Sequence, residues 1–513
     1  MTHSEKNTYM AVTIGPLYRT LEQARKIREL WGASFLFSQL MQAIVINIDA
    51  QSTIFERLLP RYDANAVKQQ GVGLFPDRLF LRIKKHSEGN AEIESILNRC
   101  LQIAVDSIIY DPVESDVINC YIQTYGVQTQ LSTDENYIEK LNLLLDGAEL
   151  AQKAGNAMDF ILAKYLKTAL PNFYTYAFKD KRKQFETLAE IGANDLLKMA
   201  IDVDEFIENY REDIGTKDEI DFYVNLIKHL QEKGQQEIIQ RMRQYHKYIA
   251  IIHADGDNLG QIIRKIGNQD INLGQFSQTL FNFAADATKL IDSWGGMPIY
   301  AGGDDLLFVA PVCTEGKTIF ALLDEIQGAF SLAMRKLELS PDITTPTISF
   351  GMNIIYYKFP LSEGLVESRN LLFEKAKKVS GKNSIAFRIQ KHSGSDFEAI
   401  LPNQLNTADS HWRQLLLAAI QKDSDAFFRS TMYTLSQFEN LLKPIISDKE
   451  RMGCFFDNHF NEAIHKSIEG EKQRQAVKEL LYEFVDKFPD TDVLKNAFAL
   501  LRFIQFIQTD FQS

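Results

Sequence analysis

Apolar and polar positions divide this 513-residue chain into four stretches of different rhythm. In the first, Tyr9 to Ile14 reads as a strand broken by Gly15-Pro16, and helix-like apolar runs follow over Leu17 to Glu29 and Ser34 to Ile48. Beyond Gly71 to Gly73 and Phe75-Pro76-Asp77-Arg78 comes another strand, Leu79 to Ile83. The pattern predicts an α+β domain over residues 1–130. From 131 to 245 the apolar spacing turns to three and four, as in Leu141, Leu144 and Leu145 or Phe222, Leu226 and Leu230, and predicts a helical linker domain.

The third stretch, 246–395, is the most informative. Tyr248 to His253 is a β-rich run that delivers Asp255-Gly256-Asp257-Asn258. A helix is predicted over Phe276 to Trp294. Strands follow at Met297 to Ala301 and Leu306 to Ala310, joined by Gly302-Gly303-Asp304-Asp305. A helix from Lys317 to Leu337, a strand from Thr347 to Tyr357, a helix from Ser362 to Val379 and a strand from Ser384 to Gln390 complete it. The order β-α-β-β-α-β, with a further αβ pair, is the split βαβ arrangement of ferredoxin-like and polymerase-palm domains. Residues 396–513 return to helical spacing and predict a helical C-terminal domain.

Length favours two to four domains, and a chain this long buries a core without disulfides or structural metal. The four cysteines, Cys100, Cys120, Cys313 and Cys454, are scattered with no C-x-x-C pair, which argues against a zinc ribbon. A net charge of −12 excludes a broad basic footprint for nucleic acid. Basic groups are local: Lys179 with Lys181, Arg182 and Lys183; Arg241 with Arg243; Lys375 with Lys377 and Lys378. The first two clusters read as solvated helix faces. A polar start and no apolar run near the roughly 18 residues of a membrane span predict a cytoplasmic protein.

Topology brings the acidic motifs together. In a split βαβ unit the hairpin lies antiparallel to the first strand, so Asp304 and Asp305 are expected beside Asp255. Three converging carboxylates repel one another unless a cation offsets them. Hard oxygen ligands of this kind suit Mg²⁺ or Mn²⁺ shared with triphosphate oxygens. Gly302, Gly303 and Gly256 would let a triphosphate approach the backbone. Such a site supports in-line attack of a hydroxyl on an α-phosphorus with pyrophosphate leaving. Alone, G-G-D-D is also an ordinary hairpin turn, and D-G-D-N an ordinary turn. The joint occurrence in strand-end and hairpin contexts favours the metal site. Lys382, in Ser380-Gly381-Lys382-Asn383, reads either as a phosphate contact or as part of a plain helix C-cap.

These motifs, with Ser349-Phe350-Gly351, Tyr357-Lys358-Phe359-Pro360-Leu361 and, near the start, Thr13-Ile14-Gly15-Pro16, Ala24-Arg25-Lys26 and Arg28-Glu29-Leu30-Trp31, resemble the large subunit of type III CRISPR effector complexes, the Cas ten family in its Cmr branch. The resemblance covers most of residues 9–395. It implies two ferredoxin-like (polymerase palm/nucleotidyl cyclase) domains with a helical insert and a helical C-terminal domain, only the second palm carrying the acidic hairpin. It implies antiviral defence in an RNA-guided complex with other effector subunits, CRISPR RNA and target RNA, in which ATP is joined into cyclic oligoadenylate. Asp255, Asp304 and Asp305 match the family's metal ligands. Gly256, Asp257, Asn258, Gly302, Gly303, Ser349, Lys382 and Asn383 are the expected nucleotide-binding neighbours. Two departures stand out. The chain holds no His-Asp pair, so nuclease activity of the family's HD domain is not expected, and the insert lacks the family's zinc-binding cysteines. Nuclease-less relatives suggest an alternative, conjugation of AMP from ATP to S-adenosylmethionine by the same palm. A stand-alone GGDEF-like cyclase and a non-catalytic scaffold are the remaining alternatives.

Overall fold

The computed structural model describes residues 6–62, 72–84, 90–108, 121–132, 135–150, 186–210, 222–266, 270–337, 345–392, 394–403, 410–421, 425–459 and 468–511. Gly71, Cys120 and the basic cluster at 179–183 lie outside them.

Two sheets form the body, the first antiparallel and the second mixed, and four strands of the second repeat the topology of the first. The first is built from β1 (Lys6–Gly15), β2 (Phe55–Leu59), β3 (Arg78–Ile83) and β4 (Gln123–Ser132), in the spatial order β2-β3-β1-β4. Helices α1 (Leu17–Glu22) and α2 (Ile27–Asp49) connect β1 to β2, and α3 (Asn90–Ile108) connects β3 to β4. Seven consecutive buried residues end β1, as a strand flanked on both sides requires. At the edge, β4 alternates half-buried with exposed positions and is mostly polar, so its sequence hides the strand that the sequence reading missed. The two expected helices over 17–48 are divided differently. The break falls at 23–26 and α2 runs unbroken through Gly32, whose cost in a helix, about 1 kcal/mol, is outweighed by burial of Leu30, Trp31, Phe35 and Leu36. α2 is long and apolar enough to cross a membrane, against the expectation of no such run, but it is a core helix with most of its residues buried.

A helical segment follows: α4 (Tyr137–Glu149), α5 (Leu188–Gly192), α6 (Asn194–Met199), α7 (Asp204–Tyr210), α8 (Phe222–Glu232) and α9 (Gln236–Arg241). Its own apolar core gathers Leu196, Phe222, Leu226 and Leu230. The Tyr223 hydroxyl donates to the carbonyl of Ala189, 3.2 Å away, and to that of His246, tying this core to the strand that follows.

The second sheet contains β5 (Tyr248–Gly256), β6 (Met297–Gly302), β7 (Asp305–Pro311), β10 (Ile348–Tyr356), β11 (Ser384–Gln390) and β12 (Asp396–Pro402), ordered β12-β11-β10-β5-β7-β6. A small hairpin, β8 (Cys313–Thr314) with β9 (Lys317–Thr318), stands apart. The sheet thus continues one strand beyond residue 395. Helices α10 (Leu259–Ile266) and α11 (Asp270–Trp294) precede β6, α12 (Ile319–Arg335) precedes β10, and α13 (Leu361–Asn370) lies between β10 and β11. The expected single helix over 362–379 is α13, then a π-turn over Leu371–Lys375 and a 3₁₀ turn over Ala376–Lys378. Gly351 explains the change of path. A Cβ there would overlap the backbone of Ser368 and Leu372, so the helical segment lies directly on β10.

The C-terminal helices are α14 (His411–Gln421), α15 (Asp425–Gln437), α16 (Glu439–Leu442), α17 (Lys449–His459), α18 (Ile468–Lys487) and α19 (Val493–Gln508). α19 lies against β12, and Phe320, Phe387 and Phe503 meet edge to face beneath it. Arg413 clamps Asp324 of α12 with several hydrogen bonds. One apolar core runs through both sheets and this bundle.

Candidate active site

The two sheets meet at the acidic hairpin. The amide of Ala301 donates to the carbonyl of Gly73 at 2.9 Å, and Gly73 bridges to Tyr300, so the loop before β3 rests on the outer strand of the second sheet. Tyr62, Phe75 and Phe281 pack their rings 4.8 to 5.7 Å apart across the same junction. Beside them lies a cavity of 310 Å³. Leu59, Phe80, Phe276 and Phe281 are among its apolar walls, and Asp77, Arg78, Gly302, Gly303 and Asp304 also line it.

β5 and β7 are antiparallel neighbours, as expected, and their register pairs Ala254 with Leu306. The next step outward sets Asp255 opposite Asp305. At the tip, a Cβ built on Gly256 would stand 2.9 Å from Oδ2 of Asp304, so the hairpin carboxylate lies against the end of β5. Gly303 takes a φ of +79°, the left-handed conformation that suits glycine and closes the two-residue turn.

The acidic residues diverge from there. Asp255 is ion-paired to Nζ of Lys377, which also donates to the carbonyl of Gly256 at 2.8 Å. Asp305 turns toward the first sheet and accepts the Tyr18 hydroxyl at 3.1 Å. Among the described residues no three Asp, Glu, His or Cys side chains stand close enough to hold an ion by themselves. Asp255, Asp304 and Asp305 thus share the hairpin and the strand end without closing on one point, and an ion there would need phosphate oxygens to complete its shell. Asp304 is the one set against residue 256, because alternate residues of a hairpin point to opposite sides.

Asp257 has a different place from the one expected. It is fully buried, and its Oδ2 accepts Thr347 Oγ1 at 2.7 Å, Ser349 Oγ at 2.8 Å and the Asn383 amide at 3.1 Å. The Asn383 side chain accepts from Gln327 at 3.1 Å. Asp257, Ser349 and Asn383, expected around a nucleotide, form an internal knot joining β5, β10 and the turn before β11. That knot holds Gly381, Lys382 and Asn383 all at positive φ. Asn258, also at positive φ, and Gly260 begin α10 beside it.

Charge in the cleft is poorly offset. Burial, with the charge of Asp257, pushes Asp304 up to about 6. Burial followed by Asp304 pushes Asp305 up to about 7, against the Tyr18 hydrogen bond and Arg369. Burial and Lys382 press Lys377 toward neutrality, which its contacts with Asp255 and the Gly256 carbonyl oppose. An ammonium thus sits where a carboxylate and a backbone carbonyl converge, and Asp257 Oδ1 lies 3.9 Å from it with no hydrogen bond. Hard oxygen donors gathered around one positive charge fit a magnesium-type ion completed by phosphate oxygens.

Sequence reasoning missed Lys377, Tyr18 and Asp77. Lys377 stands in the sequence only as one lysine of a local basic cluster, and the turn after α13 aims it inward. Asp77 immediately precedes β3 as Asp305 begins β7, and the charge of Asp77 raises the Asp305 pKa further.

Residues 248–386 match the family description Cas10/Cmr2, second palm domain, and residues 9–109 match CRISPR-associated protein Cmr2, N-terminal. The chain is 30% identical over 179 residues to the CRISPR system Cmr subunit Cmr2 of Pyrococcus furiosus, a match over 30% of this chain and 20% of the length of that relative. Its fold resembles a chain of the type III-B Cmr-beta complex bound to cognate target RNA, at 11% identity and a TM-score of 0.58, covering 98% of this chain and 83% of the other. The apo state of the same assembly gives 11% identity, the same score, and 98% and 82% coverage. Acidic hairpin, twin palms and both matches agree: residues 248–386 carry a second palm of the Cas10/Cmr2 type and residues 9–109 a Cmr2-type N-terminal segment.

Proposed function

We propose that this chain is the nucleotidyl transferase of a type III RNA-guided antiviral complex, joining ATP into cyclic oligoadenylate when the complex binds target RNA. The observation that carries the reading is the placement of the Asp304 carboxylate against Gly256, which sets the hairpin tip on the end of β5. Asp255, Asp304 and Asp305 would hold magnesium or manganese, whose chemistry is to neutralise the triphosphate and ease loss of the hydroxyl proton.

The chain's own residues supply the rest. Lys377 and Lys382 offer positive charge to a triphosphate laid over Gly303, where the nearest side-chain atom to a Cβ would be that of Leu280 at 3.7 Å; Gly302 is covered by Tyr300. The largely apolar cavity between the palms suits a nucleobase. An acceptor ribose hydroxyl attacks the α-phosphorus of ATP in line. The new phosphodiester forms as the bond to pyrophosphate breaks, and the proton leaves to solvent. Positioning and charge, rather than a dedicated protein base, carry the rate. Partners in this reading are the other effector subunits, CRISPR RNA and target RNA.

Mass spectrometry of products from the assembled complex, given target RNA, ATP and Mg²⁺ or Mn²⁺, tests the proposal. Cyclic oligoadenylate is expected. Parallel reactions with S-adenosylmethionine separate ring formation from an AMP conjugate, and absence of any adenylate product would reject the reading.

A further inference from the structure

Asp305 takes a side-chain hydrogen bond from the other palm. Tyr18 lies on α1 of the first palm, and its hydroxyl donates to Oδ2 of Asp305 at 3.1 Å. Oδ1 accepts no hydrogen bond among the described residues. α1 packs on α13 of the second palm, so the contact belongs to the joint between the domains. The ring of Tyr18 is clamped as well. The Arg369 guanidinium stands 5.1 Å from its centroid and 5.2 Å from that of Phe373, between two aromatic faces. Tyr18 is also 43% exposed, so the ring is not there to fill a core.

A ligating carboxylate is oriented by the donor that holds its other oxygen. Resting on the metal-site reading above, we infer that Tyr18 is a positioning residue for Asp305, by which the first palm sets the cation affinity of the hairpin in the second. One oxygen is fixed by the phenol and the other is left for the ion. Docking of α1 on α13 then decides whether Asp305 is presented correctly, and a palm that carries no acidic motif acquires a part in the chemistry.

Tyr18→Phe removes the hydroxyl and keeps the ring over Arg369. The test is a Mn²⁺ titration of the full chain followed by electron paramagnetic resonance, with a non-hydrolysable ATP analogue present. Tyr18→Phe is expected to weaken Mn²⁺ binding by roughly 10-fold or more, with the metal-free thermal midpoint unchanged. In an Asp305→Asn background the same change should add nothing, because its effect acts through that carboxylate. Wild-type Mn²⁺ affinity in Tyr18→Phe, or additive effects of the two changes, would overturn the inference while leaving the acidic site standing. Undiminished Mn²⁺ binding in Asp305→Asn would instead bring down the metal-site reading, and this inference with it.

Discussion

The two palms share one topology and differ at nearly every position that bears on chemistry. In the second, the pair beyond Ala254 and Leu306 is Asp255 with Asp305; in the first, the pair beyond Thr13 and Arg78 is Ile14 with Asp77. Opposite the central strand, Gly351 faces His253 in one palm and Gly126 faces Val12 in the other. The scaffold is thus duplicated, while one copy carries the acids, the close helix and the inward lysine. The other keeps a single carboxylate, Asp77, and lends Tyr18. A palm is a frame first, and its chemistry depends on a few substitutions at the strand ends.

The sharpest break of this comparison is Asp304→Ala with Asp305→Ala. Product formation by the assembled complex should fall more than about a hundredfold, the scale of losing preorganised electrostatic groups, while assembly on RNA is retained. Continued synthesis would place the chemistry elsewhere. Lys377→Met comes next, with an expected rise in KM for ATP of roughly tenfold or more, since a charge-assisted contact contributes about 1.5–3 kcal/mol. Steady-state kinetics at saturating metal checks it.

The equivalent glycines sharpen the contrast. Gly351→Ala forces Cβ into the backbone at Ser368 and Leu372 and should cost about 1–3 kcal/mol in denaturant unfolding. Gly126→Ala meets only Leu97 at 3.5 Å and should stay within about 0.5 kcal/mol. Equal losses would mean that the close helix contact is not what separates the palms.

A further contrast concerns pH. His253 is buried, its Nδ1 lies 2.8 Å from Ser368 Oγ, and burial with the charge of Arg369 lowers its pKa to about 3. The unfolded chain takes up that proton near the ordinary value of 6.5, the folded chain only near 3. Stability from this group is therefore complete above 6.5 and is lost as pH falls toward 3, by at most about 1.4 kcal/mol per unit. His253→Val, the residue type of the first palm, should flatten that slope in metal-free unfolding curves; an unchanged slope would acquit the histidine.

What the sequence made legible was whatever local chemistry announces. Gly302 to Asp305 and Asp255 to Asn258 are short, turn-compatible and acidic, and the apolar runs around them gave the order of the second palm. Strand β4 was not legible, because an edge strand of Gln and Thr lacks the apolar alternation that marks a half-buried one. Nor was the role of Asp257, whose neighbours Thr347, Ser349 and Asn383 lie about 90 residues or more downstream and meet it only after folding. Tyr18 carries no local sign at all, and Lys377 only its place in a lysine cluster. Their meaning comes from a π-turn and from a contact between domains.

The Gly73 bridge to Tyr300 has a practical consequence for dissecting the molecule. β6 is the last strand of its sheet, and unpaired strand margins recruit other chains. Cutting the chain so that the GGDD half stands alone would strip off the segment that shields this margin. Sticky, self-associating protein is the foreseeable product, and its inactivity would reveal nothing about the aspartates.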